Sequence, residues 1–257
     1  MKHKHFIGEL LLASSVLFSF SSCLDENDDE FKKQEEERKQ QEAFWSTINK
    51  ITVSGQVDGH TYVDLGLPSG IKWATCNVGA TTEFEFGDYF SWGETSSKEK
   101  YDITTYKWVD EDEHKSHTFT KYNSDEGYGI VDNKTTLDPE DDAATANWGE
   151  KWRTPTAEEM EELLRNCEWN VATTFGGTEV AGLVCVSKIN NNVIFFPAGG
   201  ERPDFGQSFP GGHYWTSTLG DNFNSPRNSK YWCFGVNHFD ITEFDRCIGK
   251  NVRAVTK

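Results

Sequence analysis

Residues 138–167 read Asp-Pro-Glu-Asp-Asp-Ala-Ala-Thr-Ala-Asn-Trp-Gly-Glu-Lys-Trp-Arg-Thr-Pro-Thr-Ala-Glu-Glu-Met-Glu-Glu-Leu-Leu-Arg-Asn-Cys. Two helix starts lie in this stretch. Asp138 stands where a capping residue belongs, Pro139 fits a first turn, and the acids at 140–142 face the positive end of the helix dipole. That start opens a short helix running through Asn147. Thr156 and Glu159 then have the spacing of a capping box, with Pro155 just before. The helix they open places Met160, Leu163, Leu164 and Cys167 on one face, the spacing of a core-facing stripe.

On either side of this stretch the pattern is β-like. ITVSGQV (51–57), TYVDLG (61–66), IKWATCNVG (71–79) and DYFSWG (88–93) precede it, separated by Gly, Asn and Asp turns. GLVCVSK (182–188), NVIFFPA (192–198), HYWTST (213–218), KYWCFGV (230–236) and GKNVRAV (249–255) follow it. A long Gly- and Pro-rich loop spans Gly199 to Gly212. Strands, two helices, then strands predict an α+β domain with antiparallel sheets and long loops, over residues 51–257.

The N-terminal residues have another texture. Lys2 and Lys4 precede an apolar run from Phe6 to Phe20, too short to span a bilayer comfortably and of the length of a signal-peptide core. Ser21-Ser22-Cys23 resembles a lipobox, which implies a lipoprotein signal peptide over 1–22 and acylation of Cys23. A bilayer anchor through Cys23 is therefore expected; the alternative is an ordinary secretory leader with a chance cysteine. Asp25, Glu26, Asp28, Asp29 and Glu30 resemble the acidic export tag of Bacteroides-type lipoproteins, which implies an outer-membrane lipoprotein displayed at the cell surface. A solvated spacer facing the periplasm is the alternative. Residues 31–44 are strong helix formers without Gly or Pro, so residues 23–50 read as an acidic tether and helical stalk.

A net charge of −17 excludes nucleic acid and anionic lipid headgroups as natural partners. Nine Trp and 22 Gly in 257 residues describe a packed, turn-rich domain.

The strings Tyr62-Val-Asp-Leu-Gly-Leu-Pro-Ser-Gly70, Trp73-Ala-Thr75, Gly87-Asp-Tyr-Phe-Ser-Trp-Gly-Glu94, Asp141-Asp-Ala-Ala144, Asn147-Trp-Gly149, Trp152-Arg-Thr-Pro-Thr156 and Tyr214-Trp-Thr-Ser217, with the closing Arg246 to Val255, resemble the Fibrobacter succinogenes major paralogous domain. The resemblance implies a C-type-lectin-like fold, distantly similar to formylglycine-generating enzymes. Those enzymes use a close late cysteine pair; here Cys233 and Cys247 are fourteen apart, which departs from that pattern. A lectin-like bridge would pair Cys167 with Cys247. Five cysteines besides Cys23 leave at least one thiol free.

No Gly-x-Ser-x-Gly, His-Glu-x-x-His, Cys-x-x-Cys, P-loop or Gly-x-Gly-x-x-Gly occurs. His114 and His117 sit among acids without an apolar frame, so a solvated loop is the simpler reading. Asp132, Asp138 and Asp141 offer oxygens, but capping accounts for two of them. A lectin-type calcium site would use Glu201-Arg-Pro-Asp204 and Trp215-Thr-Ser217, where Thr and Ser replace the strong ligands. The expectation is therefore a non-enzymatic binding protein without cofactor or metal, taking a glycan or protein ligand. Most tryptophans should be core; Trp92, Trp215, Glu201 and Asp204 are the candidate contacts, with the two tryptophans the candidates for exposure. A structural subunit of a surface complex and an enzyme of unrecognised type are the alternatives.

Overall fold

The computed structural model describes residues 26–110, 118–203, 210–221, 226–235 and 239–257. The chain divides into two units, residues 1–47 and 48–257. In the first, helix α1 (Glu26–Thr47) is solvated along its described length, with Phe31 and Phe44 exposed. Pairs one turn apart tie Lys33 to Glu37, Arg38 to Glu42 and Lys39 to Glu35. Among the described residues no helix is long and apolar enough to cross a membrane.

The second unit opens with β1 (Gly55–Val57) and β2 (His60–Val63), an antiparallel hairpin. Asp58 and Gly59 both have positive φ, as a two-residue hairpin turn requires. β3 (Lys72–Ala74) pairs with β2. DYFSWG forms no strand beyond a bridge between Phe90 and Lys250. Gly87 and Gly93 have positive φ on either side, and they turn Phe90 and Trp92 into the core. A Cβ on Gly87 would lie 2.4 Å from the Val78 carbonyl oxygen. β4 (Val109–Asp110) and β5 (Thr118–Phe119) form a small antiparallel pair.

The helix-bearing stretch follows. Its first start falls later than expected. Residues 139–141 make one 3-10 turn, and α2 (Ala143–Trp148) is capped by Asp142, which accepts from the amides of Ala144 and Thr145. Asp138 makes no side-chain capping bond; its carboxylate is held by Lys121 and Lys134. The capping box of α3 (Ala157–Asn166) forms as read, with Glu159 N donating to Thr156 Oγ1 (3.2 Å) and Thr156 N to Glu159 Oε2 (2.9 Å). Met160, Leu163 and Cys167 are buried, and Leu164 is partly covered.

Two antiparallel meanders complete the unit. β6 (Cys167–Ala172), β7 (Gly182–Ser187) and β8 (Val193–Pro197) form one, with β7 and β8 buried throughout. β9 (Gly212–Leu219), β10 (Asn228–Phe234) and β11 (Phe239–Asp245) form the other, with β11 at the edge. β12 (Val255–Thr256) returns to β3, so the first sheet runs β1-β2-β3-β12. The architecture is α+β with antiparallel sheets and few helices.

One core cluster gathers Trp73, Met160, Leu163, Phe196, Tyr214, Trp232 and Val255; a second gathers Trp92, Trp152, Trp215, Tyr231 and Val252. The segment entering β12 threads the interior. Phe90 and Lys250 exchange backbone bonds, Trp215 N donates to Asn251 O and Val78 N to Val252 O. Arg246, Lys250, Asn251 and Arg253 are consequently fully buried. Arg253 donates to Asn77 Oδ1 (2.9 Å) and to the carbonyls of Phe195 and Ala74, and Arg246 stacks 4.0 Å from the Phe119 ring centroid.

Candidate binding groove

A groove of about 370 Å³ lies between α3 and β11. The outer face of α3 supplies Glu161, Leu164 and Arg165 as one wall. Asp240, Ile241, Thr242 and Glu243 of β11 form the other side, and Asp221 and Lys230 close one end. The register of β11 explains this arrangement. Phe239, Ile241 and Glu243 lie opposite Phe234, Trp232 and Lys230 on the sheet face that α3 covers. Ile241 therefore packs against the core under the groove, while Glu243 stands at its mouth.

Arg246 N donates to Arg227 O (2.8 Å), which fixes the phase of the ladder. In that phase the backbone groups of Phe239, Ile241, Glu243 and Asp245 face away from β10. The Ile241 amide is met by its neighbour, the Asp240 carboxylate, at 2.8 Å.

Charge is ordered within the groove. Lys230 Nζ lies 2.5 Å from Asp221 Oδ2, and Asp221 N donates to Glu243 Oε1 at 2.8 Å. Burial alone would lower the pKa of Lys230, but the hydrogen bond and charge of Asp221 outweigh it and hold the ammonium above its usual value. Arg165 and Glu161 pair at 3.1 Å across one helical turn. Beside the groove, the Trp169 indole donates to Leu164 O (3.4 Å) and meets Phe239 edge-on, with ring centroids 5.5 Å apart. Phe239 and Val171 are exposed, and Trp169 is half-buried. Apolar surface beside placed carboxylates and cations suits recognition of a polar ligand that also carries apolar faces.

The residues singled out from sequence fall elsewhere. Trp92 and Trp215, the candidates for exposure, are each only 1% exposed. The Trp92 indole donates to Thr216 O and the Trp215 indole to Phe90 O, both at 2.8 Å, so ring and N–H are used inside the core. The glycine turns around Trp92 and the phase of β9 point both rings inward. Glu201 is buried, paired with Lys250 and 3.5 Å from His213 Nδ1. Asp204, Cys23, His114 and His117 lie outside the described residues. Thr216 and Ser217 are buried in the sheet, where the Thr216 hydroxyl donates to Lys230 O.

Asp138 and Asp141 do meet, together with Glu140. Asp132 instead accepts the amides of Tyr122, Asn123 and Lys134. Lysines already supply positive charge to the cluster: Lys121 pairs with all three acids, Lys107 with Asp141 and Lys134 with Asp138. Cys76, Cys167, Cys185, Cys233 and Cys247 are free thiols. The bridge between Cys167 and Cys247 does not form, because the two lie in different hydrophobic clusters.

Sequence reading missed Trp169, Phe239 and the β11 edge. Phe239-Asp-Ile-Thr-Glu-Phe-Asp245 does carry a strand signal, two apolar residues two apart with a β-branched Thr between charges. No family model, no curated protein and no solved structure matches the chain.

Proposed function

We propose that this chain is a lipid-anchored, surface-displayed binding protein of non-enzymatic type, with a C-type-lectin-like domain that takes a glycan or protein ligand. Acylated Cys23 and the acidic residues after it supply the anchor and the outward address, and α1 is the stalk. The resemblance to the Fibrobacter succinogenes major paralogous domain is part of this reading. The groove between α3 and β11 carries it, since it combines volume, paired charges and a flanking aromatic pair on rigid elements.

A glycan array probed with the purified protein tests the binding role. Signal on defined carbohydrates that is lost in a Phe239→Ser, Glu243→Ala double variant supports it. Silence on the array, together with co-purifying envelope proteins, favours the second reading, a subunit of a surface assembly. The edge position of β11 supports that alternative, because an edge strand accepts another strand through its outward backbone groups. Protease applied to intact cells tests the location: the domain should be shaved off, and full protection contradicts surface display.

A further inference from the structure

Glu201 and Lys250 belong to segments held side by side by their backbones. Arg202 N donates to Gly249 O (2.7 Å), and Gly249 N donates to Arg202 O (3.1 Å). Lys250 is fixed from its other neighbour by two bonds with Phe90. The Lys250 ammonium, fully buried, meets Glu201 Oε2, and the Glu201 side chain is 3% exposed. Three rings enclose the lysine: Nζ lies 4.1 Å from the Tyr231 centroid, 4.9 Å from Phe244 and 5.1 Å from Trp215. His213 Nδ1 approaches the same carboxylate oxygen at 3.5 Å. A charged pair is poorly solvated in such a cage, and a neutral product is favoured over it.

We propose that Glu201 and Lys250 join through an intramolecular isopeptide bond between Nζ and Cδ. A proton first passes from the ammonium to the carboxylate, which leaves a neutral amine and a carboxylic acid. The Nζ lone pair then attacks Cδ and opens the carbonyl to a tetrahedral centre. His213 takes one proton from the nitrogen and returns it to the departing oxygen, so the C–O bond breaks and one water leaves. No oxidant or co-reactant is required. Burial, which lowers the lysine's pKa against the raising effect of Glu201, favours the neutral amine that reacts. The closed cage also keeps water from reversing the step. The bond would fasten the start of the Gly199–Gly212 loop to the buried terminal segment.

Tryptic mapping of the full chain, denatured and reduced, is the test. Trypsin does not cut after an acylated lysine or between Arg202 and Pro203. The expected product is one branched species containing residues 189–227 and 247–253, lighter than its two parts by one water. Separate linear peptides, with cleavage after Lys250, would overturn the proposal. In Lys250→Arg the branched species should vanish; its persistence would also overturn the assignment.

Discussion

Asp142 holds Thr154 by three hydrogen bonds: Thr154 N donates to Oδ2 at 2.9 Å and to Oδ1 at 3.1 Å, and the Thr154 hydroxyl donates to Oδ1 at 3.0 Å. The same carboxylate caps the start of α2, so one buried side chain ties the start of one helix to the approach of the next. Asp142→Ala removes the cap and leaves several buried donors without an acceptor. The expected loss is about 3 kcal/mol or more, read as a lower urea midpoint. An unchanged midpoint would show that solvent takes over the donors.

Trp92 and Trp215 are core side chains and should contribute to stability. Replacing either by Ala opens a large cavity and removes the indole hydrogen bond to a backbone carbonyl, at a cost of about 3–5 kcal/mol. Urea denaturation should show this loss in both variants. Phe239→Ser, which gives up edge contacts with the Trp169 and Trp232 rings but is 40% exposed, should cost about 1–2 kcal/mol, less than either core tryptophan.

Stability should fall with acid. The Lys121 hydrogen bond, followed by that of Lys134, holds Asp138 below its ordinary value. Burial raises Glu159, but Arg153 and the Thr156 amide overcome it, and the net shift is downward. Burial likewise opposes Lys100 and Thr104 at Asp102, which ends at about 2. Burial lowers His60, stacked on Trp148 with ring centroids 3.9 Å apart. In each case the folded value lies below the unfolded one. Each contribution is thus complete above the unfolded pKa and is lost as pH falls through the folded one. Melting temperature should be flat from about pH 7 to about 8, decline from about 6.5 as the unfolded histidine protonates, and drop more steeply below about 4.5. A melting temperature constant from pH 7 to 3 would contradict these shifts.

The thiols should be masked. Burial pushes Cys247 up to about 12 and raises Cys76, Cys185 and Cys233, Cys185 with its neighbour Cys167 adding to the effect. A thiol reagent at mild alkaline pH should react slowly with the native domain. It should label all five of these cysteines in denaturant. Rapid native labelling would contradict the burial.

The α3 helix was legible because its capping box and apolar stripe are local patterns. The first helix starts a turn later than its pattern suggests because Lys121 and Lys134, from the segments before it, capture Asp138. The terminal segment read as an ordinary strand, yet it is a buried polar thread whose Arg246, Lys250 and Arg253 each bond to residues more than 40 positions away. The groove was illegible for a related reason. Its two sides come from α3 and β11, and only the β10–β11 register brings Glu243 and Ile241 beneath Leu164 and Arg165.

The groove between α3 and β11 is proposed as the ligand site. The most direct measurement compares ligand binding by the parent and by Glu161→Lys, Asp240→Lys, two charge reversals that line the groove. Binding to whichever array ligand the parent selects should weaken at least tenfold while the urea midpoint stays put. Undiminished binding by this folded variant would contradict the account.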